Sequence, residues 1–169
     1  GGGDSVGGLV GSCATNSHIS NSYAIGNVNA TIDFVNTWGN WSGGLAGAVN
    51  NCNVTSSSAR GNVYGGHQGT GGLIGGIGIN STVTNSFARG SVVGYKDTGG
   101  LVGWIGDTGT LVDSYATGNV STKIADATSL RSGGLVGSMT NSTITRCHAS
   151  GAVTANSGSG GGLVGSGAG

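Results

Sequence analysis

The stretch Gly7-Gly8-Leu9-Val10-Gly11 returns five more times along the chain, always as Gly-Gly-Leu, an apolar residue and Gly. The other copies are Gly43 to Gly47, Gly71 to Gly75, Gly99 to Gly103, Gly133 to Gly137 and Gly161 to Gly165. Successive leucines lie 36, 28, 28, 34 and 28 residues apart. A repeat of about 20 to 50 residues is typical of a solenoid, a propeller or an array of small units.

A second pattern follows each of the first five copies, and in the first repeat it runs from Ile19 to Val28 as Ile-Ser-Asn-Ser-Tyr-Ala-Ile-Gly-Asn-Val. Each repeat thus has three apolar positions: the leucine, the residue that opens this pattern, and the valine that ends it. The positions of Ser22 and Ala24 stay small in every copy, whereas the position of Tyr23 varies in size. Because neighbouring side chains on a strand face opposite ways, we expect the small positions to face a narrow interior.

The sequence predicts an all-β fold, because no window shows a helical period of apolar residues. Three strands in 28 residues are too few for a propeller blade. We therefore predict a β-solenoid (β-helix) with about three short strands per 28-residue turn, five full turns, a final strand and a right-handed coil. One domain, residues 1–169, divides into repeats 7–42, 43–70, 71–98, 99–132 and 133–160 and the partial repeat 161–169.

The leucines of the repeats are expected to stack as a core ladder made of Leu9, Leu45, Leu73, Leu101, Leu135 and Leu163. The residues that follow them are also apolar: Val10, Ala46, Ile74, Val102, Val136 and Val164. Strand alternation places this second row on the opposite face, and a strand that is apolar on both faces is covered on both. The cover is either the rest of the chain or another molecule, and in the second case the row is an assembly face.

Length variation is confined to the corner between the valine and the next Gly-Gly, which is long at residues 29–42 and 121–132. Two interpretations of the first long corner stay open. Its apolar side chains either fold back over the coil, or they form an aromatic platform for a sugar or a partner. Tryptophan suits such contacts, and the predicted contact residues are Trp38, Trp41 and Trp104.

The three cysteines do not define a disulfide framework. Cys13 and Cys52 both lie in the turn after the first strand of their repeats and can pair if those turns approach each other. Cys147 stands where the other repeats have the small interior serine, so we expect a small buried group there.

Composition excludes several classes of function. The formal net charge is zero, so there is no basic patch for nucleic acid, and no apolar run approaches the roughly 20 residues of a membrane helix. Glutamate is absent and the three histidines are scattered, so we predict no catalytic residue, cofactor or metal site and no enzymatic activity. Six sites have the Asn-x-Ser/Thr pattern of N-glycosylation: Asn29, Asn40, Asn53, Asn80, Asn119 and Asn141.

Gly-Gly-Leu-Val-Gly followed by Ile-x-Asn-Ser-Tyr-Ala-x-Gly-x-Val resembles the GLUG-type repeat of secreted and surface proteins, including haemagglutinin-like adhesins and accessory segments of some immunoglobulin A peptidases. The resemblance covers essentially the whole chain and is specific at all six cores. It is weaker in the second repeat, with Ser56-Ser57-Ser58, and in the fifth, with Arg146-Cys147-His148. It implies an extracellular β-solenoid module without catalytic residues.

We therefore expect an extracellular, cell-surface structural or adhesive element. Its expected partners are other copies of itself, end to end or side by side, or other surface proteins. The alternative is a carbohydrate-binding or accessory module of a larger secreted enzyme, for which glycans are the partners. Neither nucleic acid binding nor membrane insertion is expected.

Overall fold

The structure is a computed structural model that describes residues 5–30, 40–123, 130–156 and 158–169. These residues form short β-strands joined by bends and contain no helix. The first two repeats hold β1 (Ser5–Gly7), β2 (Val10–Ser20), β3 (Tyr23–Ala24), β4 (Val28–Asn29), β5 (Trp41–Gly43), β6 (Ala46–Thr55), β7 (Ser58–Ala59) and β8 (Val63–Tyr64). The next two hold β9 (Gly69–Gly71), β10 (Ile74–Ile77), β11 (Thr82–Thr84), β12 (Phe87–Ala88), β13 (Val92–Gly94), β14 (Asp97–Gly99), β15 (Val102–Ile105), β16 (Thr110–Val112), β17 (Tyr115–Ala116) and β18 (Val120–Thr122). The last strands are β19 (Arg131–Gly133), β20 (Val136–Thr140), β21 (Thr143–Thr145), β22 (His148–Ala149), β23 (Val153–Thr154), β24 (Ser159–Gly161) and β25 (Val164–Ala168).

All strand pairs are parallel, and they join strands of successive repeats into four sheets. Sheet I has the order β1-β5-β9-β14-β19-β24. Sheet II has the order β21-β16-β11-β6-β10-β15-β20-β25, with β2 also paired to β6. Sheet III has the order β22-β17-β12-β7-β3, and sheet IV the order β23-β18-β13-β8-β4. The all-β, parallel and β-helix-like character predicted from the sequence is confirmed.

Equivalent residues of successive repeats lie side by side in these sheets. Gly43 pairs with Gly71, and Gly71 with Gly99. The leucines of successive repeats are neighbours in the same way. The backbone N–H of Leu45 donates to the carbonyl of Leu73 at 2.9 Å, and the N–H of Leu73 donates to the carbonyl of Leu101 at 2.9 Å. Each repeat thereby satisfies the backbone groups of its neighbour.

The predicted leucine ladder is buried in its interior and open at both ends. Leu45, Leu73, Leu101 and Leu135 have 0% exposure, whereas Leu9 is 51% and Leu163 is 41% exposed. The second apolar position, for example Val54 or Val83, joins the leucines in one core. The third apolar position forms a separate small cluster of Val28, Val63 and Val92.

The predicted number of strands per repeat is too low. Residues 69–94 contain the five strands β9 to β13 instead of three. One extra strand is the segment before Gly-Gly, which pairs in sheet I. The other arises because the strand predicted around the second apolar position is divided into β11 and β12 by a bend at Asn85, whose φ is 51°.

The interpretation of the second apolar row as an assembly face is wrong. Ala46, Ile74, Val102 and Val136 have 0% exposure and belong to the same core as the leucines, with Val10 and Val164 partly buried against it. The leucines lie in the bends between the strands of sheets I and II, where strand alternation does not hold. Both residues of a pair such as Leu73-Ile74 therefore face the interior, and the chain itself covers this row.

The orientation predicted for the second pattern is confirmed. Ser57, Ser86 and Ser114 are 1% exposed, and Ala59, Ala88 and Ala116 at most 1%, while Tyr23 is 69% exposed. The bend before them has positive φ in all five repeats, at Asn21, Ser56, Asn85, Asp113 and Arg146. Asn and Asp tolerate this left-handed conformation well.

Cys13 and Cys52 form a disulfide, the pairing that the sequence left open. Their Cα atoms lie 5.9 Å apart, and the bond joins β2 to β6. Both residues are buried, at 7% and 1% exposure. The bond thus locks the first repeat to the second from inside the core.

Candidate functional site

Two of the three predicted contact tryptophans meet on the outside of the coil. Trp41 lies on β5 of sheet I, and Trp104 lies on β15 of sheet II. Their ring centroids are 5.4 Å apart with an angle of 33° between the planes. Both side chains are partly exposed. Trp38, the third predicted residue, lies outside the described residues.

Glycines make the surface on which Trp41 rests. A Cβ atom on Gly76 would lie 2.6 Å from Cε3 of Trp41, and a Cβ on Gly69 would collide with the same ring. No side chain fits at either position while the indole stays in place. The flat contact between Trp41 and the sheet therefore depends on these two glycines.

A cleft of about 160 Å³ opens beside the tryptophan pair. It is lined by Trp41, Ala48, Val49, Asn50, Gly76, Gly78 and Trp104. In sheet II, Gly76 pairs with Ala48 on one side and with Trp104 on the other. The cleft lies where glycine leaves a gap in this row, and the exposed Asn50 supplies an amide at its rim.

Sequence reasoning found Trp41 and Trp104 but missed Asn50 and Gly76. A signal was present in the row that follows each Gly-Gly-Leu-x-Gly. The residues there are Ser12, Ala48, Gly76, Trp104, Ser138 and Ser166, so Trp104 is the only large member. A single large residue next to a glycine in an otherwise small row indicates a local departure from the structural repeat.

A ladder of side-chain hydrogen bonds runs beneath the outer surface. The hydroxyl of Ser86 accepts the backbone N–H of Ser57 at 3.1 Å and donates to the carbonyl of Thr84 at 2.8 Å. The hydroxyl of Ser114 repeats both bonds, to the N–H of Ser86 and the carbonyl of Val112. The sequence pattern explains the small size of these residues by the narrow interior. The hydroxyl has a second role, because it also satisfies a buried backbone donor.

Cys147 continues this ladder in the fifth repeat. Its Sγ lies 3.4 Å from the backbone nitrogen of Ser114 and 3.2 Å from the carbonyl oxygen of Thr145. Burial raises the pKa of the thiol. Cys147 is therefore a partly buried substitute for serine, and its higher pKa disfavours the nucleophilic thiolate.

The segment that holds Cys147 also contains the fifth Gly-Gly-Leu-Val-Gly. Residues 128–154 match the family model described as the GLUG motif. This segment carries a GLUG motif. The match confirms the resemblance noted in the sequence, and the other five Gly-Gly-Leu cores repeat the same pattern. No curated protein and no solved structure matches the chain.

Arg131 of the GLUG segment forms an ion pair with Asp97 of the preceding repeat, which sequence reasoning missed. Nε of Arg131 lies 2.6 Å from Oδ1 of Asp97, and Nη2 donates to Oδ2 at 3.1 Å. The two residues are register partners on β14 and β19. Burial raises the pKa of the Asp97 carboxyl, although the guanidinium of Arg131 acts in the opposite direction. The sequence did contain a signal for this pair. Asp97 and Arg131 each stand two residues before a Gly-Gly, and stacked repeats place equivalent residues side by side.

The predicted glycosylation sites differ in accessibility. Asn29, Asn80, Asn119 and Asn141 are exposed, and Asn53 is partly exposed. Asn40 is only 6% exposed. A glycan requires an accessible amide nitrogen, so the folded chain disfavours modification at Asn40.

Among the described residues, no three His, Cys, Asp or Glu side chains are grouped as metal ligands. In the same parts of the chain, no helix is long and apolar enough to span a membrane.

Proposed function

We propose that this chain is a structural or adhesive β-solenoid segment of an extracellular or cell-surface protein. The observation that carries the proposal is the in-register parallel stacking of equivalent strands around a leucine row whose four interior members are fully buried. Such stacking makes a stiff unit, because each repeat covers the apolar surface of the next. We further propose that each repeat is one turn of a right-handed coil with five full turns and a final strand, and that the role is non-enzymatic.

Two observations support the location. GLUG motifs are typical of secreted and surface proteins. The Cys13–Cys52 disulfide fits an oxidising compartment, because such bonds are rare in the reducing cytosol.

Self-association is the proposed mode of assembly. Leu9 is 51% exposed at one end of the leucine row and Leu163 is 41% exposed at the other. The strands at these ends, β1 and β24, are the outermost members of sheet I. Open edges of this kind present unpaired backbone groups to a second chain. We do not propose side-by-side contact through the second apolar row, because its four interior members are fully buried.

Light scattering over a range of concentrations tests this assembly. We expect the mean mass of the purified chain to rise with concentration, and Leu163→Lys to suppress the rise because it places a charge at an open end. Thr117→Lys, a charge on an exposed side chain between β17 and β18 of an interior repeat, is the matched control and should leave association unchanged. A monomer at every concentration would overturn end-to-end assembly.

Glycosylation is a separate proposal, tested by intact mass and peptide mapping of the protein from its natural source. We propose modification at exposed sites such as Asn119 and none at Asn40. An unmodified mass would end this proposal without affecting the structural role.

A further inference from the structure

We propose that the cleft beside Trp41 and Trp104 binds one neutral sugar ring. This inference goes beyond the structural role, which does not need a ligand. It rests on the size of the cleft, the chemistry of its lining and the gap that glycine leaves in its floor.

The size of the cleft limits the ligand to about one ring. Sites for drug-sized ligands occupy roughly 300 to 1,000 Å³, whereas this cleft has about 160 Å³. A flat ring inserted between the two indoles would need two contacts of about 3.5 Å, or about 7 Å between the planes. The centroids of Trp41 and Trp104 are 5.4 Å apart. The ligand therefore lies beside the pair, over the glycine floor.

The lining indicates a ligand with one apolar face and polar edges. Indole surfaces offer a broad apolar contact, and the partly exposed Ala48 extends the apolar lining. Asn50 is exposed and contributes an amide that both donates and accepts hydrogen bonds. A pyranose matches this arrangement, because its C–H groups cover one face and its hydroxyls project from the edge.

The charge of the lining further narrows the ligand class. None of the seven described residues that line the cleft is charged. A uronate, a sialic acid or a phosphorylated ligand would lose hydration in the cleft without gaining a cationic partner. A purely apolar ring would make no hydrogen bond to the amide of Asn50. A neutral sugar residue meets both conditions.

The floor is shaped by the absence of side chains. A Cβ on Gly78 would lie 3.0 Å from Oδ1 of Asn50, and a Cβ on Gly76 would lie 2.6 Å from Trp41. Gly76 is thus needed to seat the indole, whereas Gly78 leaves room for the amide of Asn50. Gly78→Ala places a methyl group in this space. The atoms nearest to the methyl would belong to the side chain of Asn50, which is flexible and can move aside. The substitution therefore changes the cleft with little expected cost to the stability of the fold.

The experiment uses the whole chain and methyl glycosides of glucose, galactose, mannose and N-acetylglucosamine as probes. Ligand-observed saturation-transfer NMR detects binding without relying on the tryptophans as reporters. We expect saturable binding of at least one glycoside in the millimolar range, as suits a small ligand in a shallow site. Binding should weaken at least tenfold in Trp104→Ala and several-fold in Gly78→Ala and Asn50→Ala.

Tyr23→Ala is the matched control, because it removes an exposed aromatic side chain on sheet III, away from the cleft. It should bind the glycoside as the original chain does. Thermal unfolding establishes which variants are folded, and Gly78→Ala keeps the proposal testable if Trp104→Ala unfolds. Three results would overturn the proposal: no glycoside binds, binding is unchanged in every cleft variant that folds, or only indole and other apolar rings bind. None of them affects the proposed structural role.

Discussion

The last residue of each Gly-Gly-Leu-x-Gly core is glycine because the neighbouring backbone leaves no space for a side chain. The strands of sheets I and II face each other across this turn with their backbones in contact. A Cβ on Gly75 would lie 2.5 Å from the nitrogen of Ser42 and 2.6 Å from the carbonyl oxygen of Gly47. Backbone atoms cannot move aside as a flexible side chain can. The residue type is thus fixed by the closeness of the sheets.

Gly75→Ala should lower the free energy of unfolding by about 3 kcal/mol or more, because the added methyl is forced against backbone on two sides. Chemical denaturation followed by circular dichroism measures the change. Gly26→Ala is the matched control, since a Cβ there meets nothing within 4 Å and should change stability by less than about 0.5 kcal/mol. Equal effects of the two substitutions would contradict the account.

The Asp97–Arg131 pair gives a second residue-scale prediction. The side chain of Asp97 is 3% exposed and that of Arg131 is 33% exposed. Arg131→Gln leaves a buried carboxylate without its cationic partner. Breaking a fully buried pair costs about 3 to 5 kcal/mol, and we expect about 1 to 3 kcal/mol here because the arginine stays partly in water.

The loss in Arg131→Gln should depend on pH. The folded-state pKa of Asp97 lies above its unfolded value of 3.8, so ionisation of this carboxyl opposes folding, and removal of Arg131 raises the pKa further. Stability relative to the original chain should thus recover as the pH falls from neutral through the raised folded-state pKa of Asp97 towards 3.8. Thermal unfolding across this range measures the recovery, and adding Asp97→Asn should abolish it. A difference that widens in acid would show that the sign is wrong.

At the scale of elements, the first repeat is held differently from the others. β2 pairs with β6 with an irregularity between Ala14 and Ser17, whereas the pairs between later repeats keep a regular register. The Cys13–Cys52 disulfide connects these same two strands. Later repeats are joined without a disulfide, by backbone hydrogen bonds, the ladder of small hydroxyls and the Asp97–Arg131 pair.

Replacing both bonded cysteines by serine should destabilise the first repeat more than the rest. The disulfide spans a sequence separation of 39 residues, and closing a loop of that length stabilises by about 4 kcal/mol in the chain-entropy model. Hydrogen exchange should show faster opening of β2, with β15 and β20 less affected, because repeats contact mainly their neighbours. Cys147→Ser, which replaces the thiol in the ladder by the hydroxyl found in other repeats, is the control and should leave exchange in β2 unchanged. Uniform acceleration along the chain would contradict this localisation.

At the scale of the whole molecule, stability depends on the position of a repeat along the coil. An interior leucine has neighbours on both sides, and a terminal leucine has one. Their exposures of 0% for Leu73 and 51% for Leu9 reflect this difference. The same residue type in the same motif therefore contributes unequally to folding.

Leu73→Ala should cost about 2 to 5 kcal/mol, because it leaves a cavity in a closed core. Leu9→Ala should cost less than about 1 kcal/mol, since half of that side chain already contacts water. Denaturant unfolding of both variants provides the comparison, and each serves as the other's control. If the two losses are equal, the leucines do not form one continuous interior row.

The sequence by itself determined the repeat, the leucine row, the inward serine and alanine positions and the GLUG resemblance. It could do so because a regular repeat places equivalent residues side by side, whatever conformation the chain adopts between them. It did not determine which way a residue faces at a bend, and so it misplaced the row from Val10 to Val164. Only the tertiary structure showed that the leucines lie in bends, that Cys13 and Cys52 pair, and that Trp41 meets Trp104. These features depend on φ, on the offset between neighbouring strands and on the close approach of two sheets, and the period of the sequence encodes none of them directly.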